Sequence, residues 1–299
     1  MNKKLAFSLI ELSIVILIIG ILVAGVTQSS RLVAQMKLAS AQSITRSADI
    51  SSIRDLVFWA ETSLENSITN SAGSLQIEDG NSISSWNDIN PQISAKINVT
   101  QATTANQPTY KALGINGLPS LSFNGSSQIL LNTSTTPLPA SDKNYSLIIV
   151  WRTNSINTAQ IIISQSTLAS SANTLAATFI SYNLCGFAGN YNDYFNPAPI
   201  SINTDYISII TVNNTLADNN ISVYINSNTP SSGTSTSGSA NLNLGAQRFS
   251  VGARISNSST MQYFNGLISE AIIFDRTLKA DEVKSINAYL GKKYGIKIS

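Results

Sequence analysis

The sequence contains no histidine and a single cysteine, Cys185, among its 299 residues. Without histidine, the chain lacks the usual general base near neutral pH and the commonest transition-metal ligand. One cysteine can form neither an intramolecular disulfide bond nor a cysteine-based zinc site. Catalytic arrangements that need histidine are therefore excluded, and we expect Cys185 to be a small buried apolar side chain.

Charged residues are also scarce, at 11% of the chain, and the net charge is only +2. The basic residues are scattered along the sequence and form no stripe, so no nucleic-acid partner is expected. Asn, Ser, Thr, Ile and Gly are abundant, which favours a polar, uncharged β domain. Proline is absent before Pro91, so a long helix can form in the N-terminal part of the chain.

An apolar run from Leu5 to Val26 follows two basic residues, Lys3 and Lys4. About 20 apolar residues span the hydrocarbon layer of a bilayer, so this run is long enough for one crossing. The positive-inside rule places the basic pair in the cytoplasm and the rest of the chain outside it. A general secretory cleavage site after Gly25 is only weakly indicated.

Glu11 lies inside this apolar run, where an ionised carboxylate is costly and usually has a function. The residues around it, from Lys3 to Leu12, strongly resemble the class III signal of type IV prepilins, with its Phe-Thr-Leu-Ile-Glu core. This resemblance implies that a prepilin peptidase cuts between Ala6 and Phe7, and that the new amino group of Phe7 is N-methylated. Most prepilins have glycine before the cut, and Ala6 departs from that pattern while keeping the small size.

The new ammonium group at Phe7 is itself a charge that needs a partner in an apolar environment. Glu11 of a neighbouring subunit can neutralise it, which makes Glu11 the predicted assembly residue. The predicted partners are therefore the prepilin peptidase, other pilin or pseudopilin subunits, and the bacterial inner membrane. The predicted topology is single-pass, with a cytoplasmic N-terminus and a head that is periplasmic, or extracellular after filament assembly.

The apolar run continues into an amphipathic pattern, which predicts one helix from about Phe7 to about Ile53. We divide the chain into a leader at residues 1–6, a pilin-type helix at residues 7–53 and a head at residues 54–299. The membrane-spanning part of the helix is expected at about residues 7–28.

The head shows short alternating runs between turn residues, which predict strands. The clearest are residues 121–123, 146–151, 160–164, 176–181, 206–212, 222–225, 249–253 and 266–274. A short helix is predicted from Leu278 to Tyr289, closed by Gly291. The fold class is α+β, with a long N-terminal hydrophobic helix, an all-β antiparallel jelly-roll sandwich and a short C-terminal helix.

Several separated motifs of the head carry a second resemblance, to a bacterial LamG-like, concanavalin A-like jelly roll. They occur in the expected order at residues 58–61, 83–88, 116–125, 264–278 and 289–296. The resemblance covers nearly the whole head, and this architecture hosts glycosidases, lectins and inert spacers. The fold alone therefore does not decide the function.

We expect no enzymatic activity and no catalytic residue, because no pair of carboxylates is placed for glycoside hydrolysis. Glu270 and Asp275 would point to opposite faces of a regular strand, and Glu61 stands alone in the sequence. A membrane-anchored lectin that does not polymerise, or a glycan-active enzyme, are the alternative interpretations. The preferred one is a filament subunit, a minor pilin or pseudopilin, because only it accounts for Glu11.

A candidate ligand loop alternates aromatic residues, which can stack on sugars, with amide and carboxylate groups. Its residues are Asn190, Tyr191, Asn192, Asp193 and Tyr194. Surface glycans are the candidate partners of this loop, and calcium is a candidate ion among its oxygen atoms. No other metal and no other cofactor is expected. The alternative interpretation is a surface loop whose aromatic rings pack on the sandwich.

Overall fold

A computed structural model describes residues 9–134, 136–138, 144–167, 175–181, 183–188, 194–213, 220–231, 247–256 and 259–299. The described chain forms a long N-terminal α-helix, a head of two antiparallel sheets and a C-terminal α-helix on one sheet. This architecture confirms the predicted fold class.

The N-terminal helix, α1 (Leu9–Arg46), has 38 residues and is therefore about 57 Å long. Serine side chains near the middle of the helix form hydrogen bonds within it. The hydroxyl groups of Ser29 and Ser30 donate to the carbonyl oxygens of Gly25 and Val26, four residues earlier. These polar residues therefore do not interrupt the helix.

The α-helix ends at Arg46, before the predicted end near Ile53, and a 3-10 turn (Asp49–Ser52) follows it. Ala48 is extended between the two, with φ −71° and ψ 135°. This change of direction brings Ile50 against the head, where it is only 2% exposed. Burial of Ile50 thus stabilises the turn that follows the regular helix.

The strands of the head range from two to ten residues and are separated by turns, as the sequence predicts. They are β1 (Leu56–Glu61), β2 (Ile68–Asn70), β3 (Ile83–Trp86), β4 (Val99–Thr100), β5 (Thr109–Lys111), β6 (Ser120–Asn124), β7 (Leu130–Asn132), β8 (Tyr145–Thr153), β9 (Gln160–Thr167), β10 (Leu175–Ser181), β11 (Leu184–Ala188), β12 (Tyr194–Phe195), β13 (Asp205–Asn213), β14 (Asn220–Ile225), β15 (Gln247–Val251), β16 (Arg254–Ser256), β17 (Ser259–Met261) and β18 (Asn265–Phe274).

The strands form two large sheets, and their pairings are antiparallel in the part of the chain that the structure describes. The seven-stranded sheet has the order β14-β13-β8-β18-β6-β5, with β1 also paired to β18. The nine-stranded sheet has the order β12-β11-β10-β9-β15-β7-β4-β3-β2. β16 and β17 form a separate hairpin. First and last strands of the head, β1 and β18, therefore lie side by side.

The two largest apolar clusters among the described residues stabilise the head. The main core lies between the two sheets and contains the largest buried aromatic side chains, among them Phe58, Trp86, Phe123, Trp151 and Phe249. The fully buried side chain of Cys185 also lies in it, as the sequence predicts, and burial raises the pKa of its thiol to about 12.

The second core lies on the outer face of the seven-stranded sheet, under the C-terminal helix. Its side chains come from that helix, from α1 and the 3-10 turn after it, and from the outward-facing side of the sheet. They include Ala41, Ile50, Trp59, Ile148, Ile207, Ile272, Val283, Ile286, Leu290 and Tyr294. A helix with one apolar face on a sheet is a standard solution for burying both surfaces.

The C-terminal helix, α2, spans Ala280–Tyr294, so the predicted end at Gly291 is wrong. The helix continues through Gly291 and is closed by Gly295, which has the left-handed φ of 64°. Gly291 serves close packing instead, because a Cβ there would lie 2.9 Å from the carbonyl oxygen of Ile296. The extra turn of α2 carries Lys293 into the protein.

Candidate assembly helix and buried charge cluster

The apolar half of α1 exposes large side chains on all of its faces. Ile16, Leu17 and Leu22 are 61%, 63% and 61% exposed. Within the described residues, one helix is long and apolar enough to cross a membrane. No residue of its most apolar segment is buried against the rest of the protein. A helix that is apolar all round needs an apolar environment, either lipid or neighbouring helices.

The sequence-predicted residues of the prepilin signal are only partly described. Ala6 and Phe7 lie outside the described residues. Glu11 lies in α1, and its side chain is outside the described part. Cleavage after Ala6, methylation of Phe7 and the assembly role of Glu11 therefore stay predictions.

In the candidate ligand loop, Asn190, Tyr191, Asn192 and Asp193 lie outside the described residues. Tyr194 is described and lies in β12, where it is only 9% exposed. Its hydroxyl group donates to the carbonyl oxygen of Ser231 at 2.9 Å. The structure therefore places Tyr194 against the head, and ligand binding by this loop stays a prediction.

The second half of α1 packs on the head along one stripe. Ala41 and Thr45 are each only 2% exposed. The side-chain amide of Gln42 donates to the carbonyl oxygen of Ser63 at 2.9 Å. The buried positions are four residues apart, as expected for one face of a helix. The second half of α1 therefore packs on the head as regular helix.

A buried charge cluster lies beneath α2 and consists of Glu61, Glu270 and Lys293. The Lys293 ammonium nitrogen is 2.9 Å from Glu61 Oε2 and 2.8 Å from Glu270 Oε2. The side chains are 0–1% exposed. The expectation that Glu61 stands alone is therefore wrong, because Glu61 is the direct cross-strand partner of Glu270 between β1 and β18.

A β-bulge at Ser269 turns Glu270 toward α2. On β18, Ile268 is paired with Trp151 of β8 and Glu270 with the next residue, Val150, so Ser269 is the extra residue. A bulge shifts the alternation of side chains by one position. Ile268 therefore faces the core between the sheets, while Glu270 faces α2. A regular strand would put both side chains on one face.

The two carboxylates have many hydrogen-bond donors besides Lys293. Glu270 accepts hydrogen bonds from Trp59 Nε1 at 2.8 Å and from the hydroxyl groups of Tyr289 and Tyr294 at 2.7 and 3.0 Å. Buried charges are tolerated when paired and hydrogen-bonded in this way. The cluster is closed to solvent, and it links the C-terminal helix to β1 and β18.

Glu61 is held mainly by the turn that follows β1. Its oxygens accept hydrogen bonds from the backbone N–H groups of Ser63 and Leu64 at 2.7 and 2.6 Å, and from the Ser63 hydroxyl group. Burial by itself would raise the pKa of Glu61, but the Lys293 ammonium and these hydrogen bonds outweigh it and lower the pKa. Glu61 is therefore ionised at neutral pH.

Lys293 behaves in the complementary way. Burial would lower its pKa, and the two neighbouring carboxylates outweigh that effect and raise the pKa. Burial, together with the charge of Glu270, raises the pKa of Tyr289 and of Tyr294 well above the usual value. The tyrosine hydroxyl groups therefore remain protonated donors to Glu270.

We expect the protein to lose stability in acid partly through Glu61. Because its folded-state pKa is lowered, its contribution is present above the ordinary value of 4.5 and is lost as the pH falls through the lowered pKa. The free-energy difference between wild type and Glu61→Gln should therefore shrink between neutral pH and about pH 3. Urea unfolding at both pH values measures it.

The control is Glu65→Gln, since Glu65 is exposed and should give a small difference at either pH. An equal free-energy difference between wild type and Glu61→Gln at neutral and acidic pH would contradict the assignment of Glu61 as an ionised member of the cluster.

Comparison with known proteins supports the two parts of the chain separately. Residues 1–27 match the family described as the prokaryotic N-terminal methylation motif. No protein of curated function matches the sequence significantly. The match to the methylation motif covers the segment in which the prepilin signal was recognised, so that resemblance is confirmed.

Solved structures resemble the chain through its fold. A mutant of the GH54 α-L-arabinofuranosidase has a TM-score of 0.60 at 12% identity, covering 83% of this chain and 65% of that chain. Trypanosoma rangeli sialidase in complex with the inhibitor DANA has a TM-score of 0.51 at 11% identity, covering 83% and 37%. The chain thus spans about two thirds and about one third of their lengths, and at these identities the likeness shows the fold alone.

The methylation motif, the apolar helix and the two-sheet head follow one another along the chain. The protein carries a prepilin-type N-terminal methylation motif at the start of a long apolar helix, followed by a jelly-roll β-sandwich head.

Proposed function

We propose that the protein is a type IV pilin-like filament subunit, inserted in the bacterial inner membrane and then assembled through α1. The observation that carries this proposal is the methylation motif at residues 1–27, which leads directly into a helix exposing apolar side chains all round. A lipid bilayer covers these apolar side chains before assembly, and the helices of neighbouring subunits cover them in a filament.

The prepilin peptidase is the first partner in this proposal, and it acts on the cytoplasmic side, where Lys3 and Lys4 hold the N-terminus. The head then lies in the periplasm and reaches the outside when the subunit enters a filament. The size of the head, which extends to Ser299, favours a minor pilin or a pseudopilin, because bulky heads crowd a dense helical array.

We propose that the head serves adhesion or binding and not catalysis. Its paired carboxylates, Glu61 and Glu270, are closed off by Lys293 and by hydrogen bonds. Glycoside hydrolysis needs two carboxylates that reach the sugar from opposite sides of the scissile bond. The pair therefore supports a structural role.

Cleavage after Ala6 is the first test of the proposed function. In cells with an active prepilin peptidase, the membrane-extracted protein should begin at Phe7 and carry one methyl group on its amino nitrogen. Intact-mass measurement and N-terminal peptide sequencing decide this. A chain that retains residues 1–6 contradicts the proposal, and a chain cut after Gly25 has lost its anchor and favours a secreted lectin instead of a filament subunit.

The candidate ligand loop can be tested with a glycan array and a calcium titration on the purified protein. We propose that Asn190, Tyr191, Asn192 and Asp193 supply the contacts, so Tyr191→Ala should weaken sugar binding and Asp193→Ala should weaken calcium binding. The control is Asn66→Ala, an exposed residue near β2. Binding that neither loop variant changes would discard this loop as the site.

A further inference from the structure

The loop between β5 and β6 lies against α1, close to the end of the apolar stretch. The Lys37 ammonium group donates to the carbonyl oxygen of Asn116 at 3.4 Å. Side chains of a helix point toward its N-terminus, so this ammonium lies over the turn before its own Cα, level with about residues 33 and 34. Asn116 therefore lies beside α1 well before the part of the helix that is buried in the head.

The height of this loop above a membrane follows from the helix geometry. If the hydrocarbon layer ends near Gln28, the five or six residues up to the level of Asn116 rise by about 8 Å. The headgroup layer of one leaflet is about 5–8 Å thick. The loop therefore lies at the outer boundary of the headgroups when α1 spans the bilayer upright.

The side chains at this height suit a phospholipid surface. Leu113 in the loop is 61% exposed, which is unusual for a large apolar side chain of the head. Arg31, Lys37 and Lys111 are exposed, and exposed basic groups beside an apolar residue are typical of membrane interfaces. They can pair with lipid phosphates.

Acidic groups near the loop reduce this positive charge but do not remove it. Lys111 is 3.7 Å from Asp79, and both side chains are about half exposed. Asp79 also accepts a hydrogen bond from the backbone N–H of Ala112. Glu78 is exposed beside it. Arg31 on α1 remains available for phosphate groups, and the Lys37 ammonium keeps further N–H donors beside its bond to Asn116. The contact therefore rests on these two groups and on Leu113.

We propose that the head of the membrane-inserted subunit rests on the phospholipid surface through the loop at residues 111–117, with Leu113 in the interface and Arg31 and Lys37 on phosphates. The proposal rests on the proposed membrane anchoring of α1 and goes beyond it. Such a contact fixes the tilt of the head before assembly, and it is broken when the subunit is lifted into a filament.

Fluorescence quenching in lipid vesicles tests the contact on the full chain. The three natural tryptophans are buried, so the added emission of a new surface tryptophan is a local probe. The protein is reconstituted in vesicles of phosphatidylcholine and phosphatidylglycerol that carry a short-range quencher, either bromine on the acyl chains for residue 22 or a nitroxide on the headgroup for the positions in the head. The probe variant is Leu113→Trp, and Leu22→Trp in the apolar half of α1 reports on anchoring itself.

The control is Arg54→Trp, an exposed position just after the 3-10 turn that follows α1. The end of α1 at Arg46 lies about 27 Å along the helix from Gln28, so Arg54 is far above the headgroups. Strong quenching for Leu22→Trp and Leu113→Trp, with little for Arg54→Trp, is the expected result.

Three other results overturn the proposal in distinguishable ways. Quenching for Leu22→Trp without quenching for Leu113→Trp contradicts the contact and leaves the anchoring intact. Absence of quenching for Leu22→Trp contradicts the anchoring and the contact together. Equal quenching for Leu113→Trp and Arg54→Trp contradicts the assignment of the contact to the loop at residues 111–117.

Discussion

Replacement of Lys293 with alanine should destabilise the protein by about 3–5 kcal/mol, the usual cost of removing one partner of a buried ion pair. The change leaves Glu61 and Glu270 side by side without a cation, and both are closed to solvent. It also removes the link between the last turn of α2 and the two strands that close the head. Urea unfolding at neutral pH, followed by tryptophan fluorescence, measures the loss.

Lys292→Ala is the matched control, because Lys292 is the preceding residue of the same helix and is exposed. It should change the free energy of unfolding by less than about 0.5 kcal/mol. The double variant Glu61→Gln with Lys293→Met should lose less stability than the sum of the single variants, since the members of the cluster are coupled. Equal losses for Lys292→Ala and Lys293→Ala would show that the cluster does not stabilise the fold.

Replacement of Glu11 with alanine should leave membrane insertion intact and strongly reduce incorporation into filaments. An apolar side chain at this position removes the cost of a carboxylate in the membrane, so the anchor itself is not weakened. The same change removes the proposed partner of the Phe7 ammonium group of a neighbouring subunit. Membrane fractionation and a quantitative assay of sheared filaments measure the two effects.

Ser13→Ala is the control for Glu11→Ala. Ser13 lies in the same apolar half of α1, and its hydroxyl group donates to the carbonyl oxygen of Ile10 at 2.8 Å within the helix. Its loss should therefore leave assembly unchanged. Assembly of the Glu11→Ala variant at the wild-type level would remove the carboxylate from the proposed mechanism.

Local patterns in the sequence predicted the elements of the fold well. Mostly apolar runs between turn residues located β8, β13 and β18, because these strands are buried on both faces, by the main core on one side and by the second core on the other. The end of α2 was less predictable. Gly291 and Gly295 are both plausible helix ends by composition, and only the packing of the C-terminal tail against Gly291 decides between them.

The buried charge cluster could not be predicted from local patterns. Glu61, Glu270 and Lys293 come from the first strand, the last strand and the last helix of the head, and their meeting depends on the closure of the whole sandwich. The bulge at Ser269 adds a second obstacle, since it reverses the face that a regular strand would assign to Glu270. Lysine in a helix gives no local sign of burial.

The docking of α1 on the head sets the boundary of any soluble fragment. A fragment that begins at residue 54 lacks Ala41, Thr45 and Ile50, and it uncovers the apolar surface that they bury beside α2. A fragment that begins at Arg31 removes the membrane-spanning half and keeps the whole docked stripe. The natural unit for crystallisation or solution spectroscopy is therefore the sandwich together with the last 16 of the 38 residues of α1.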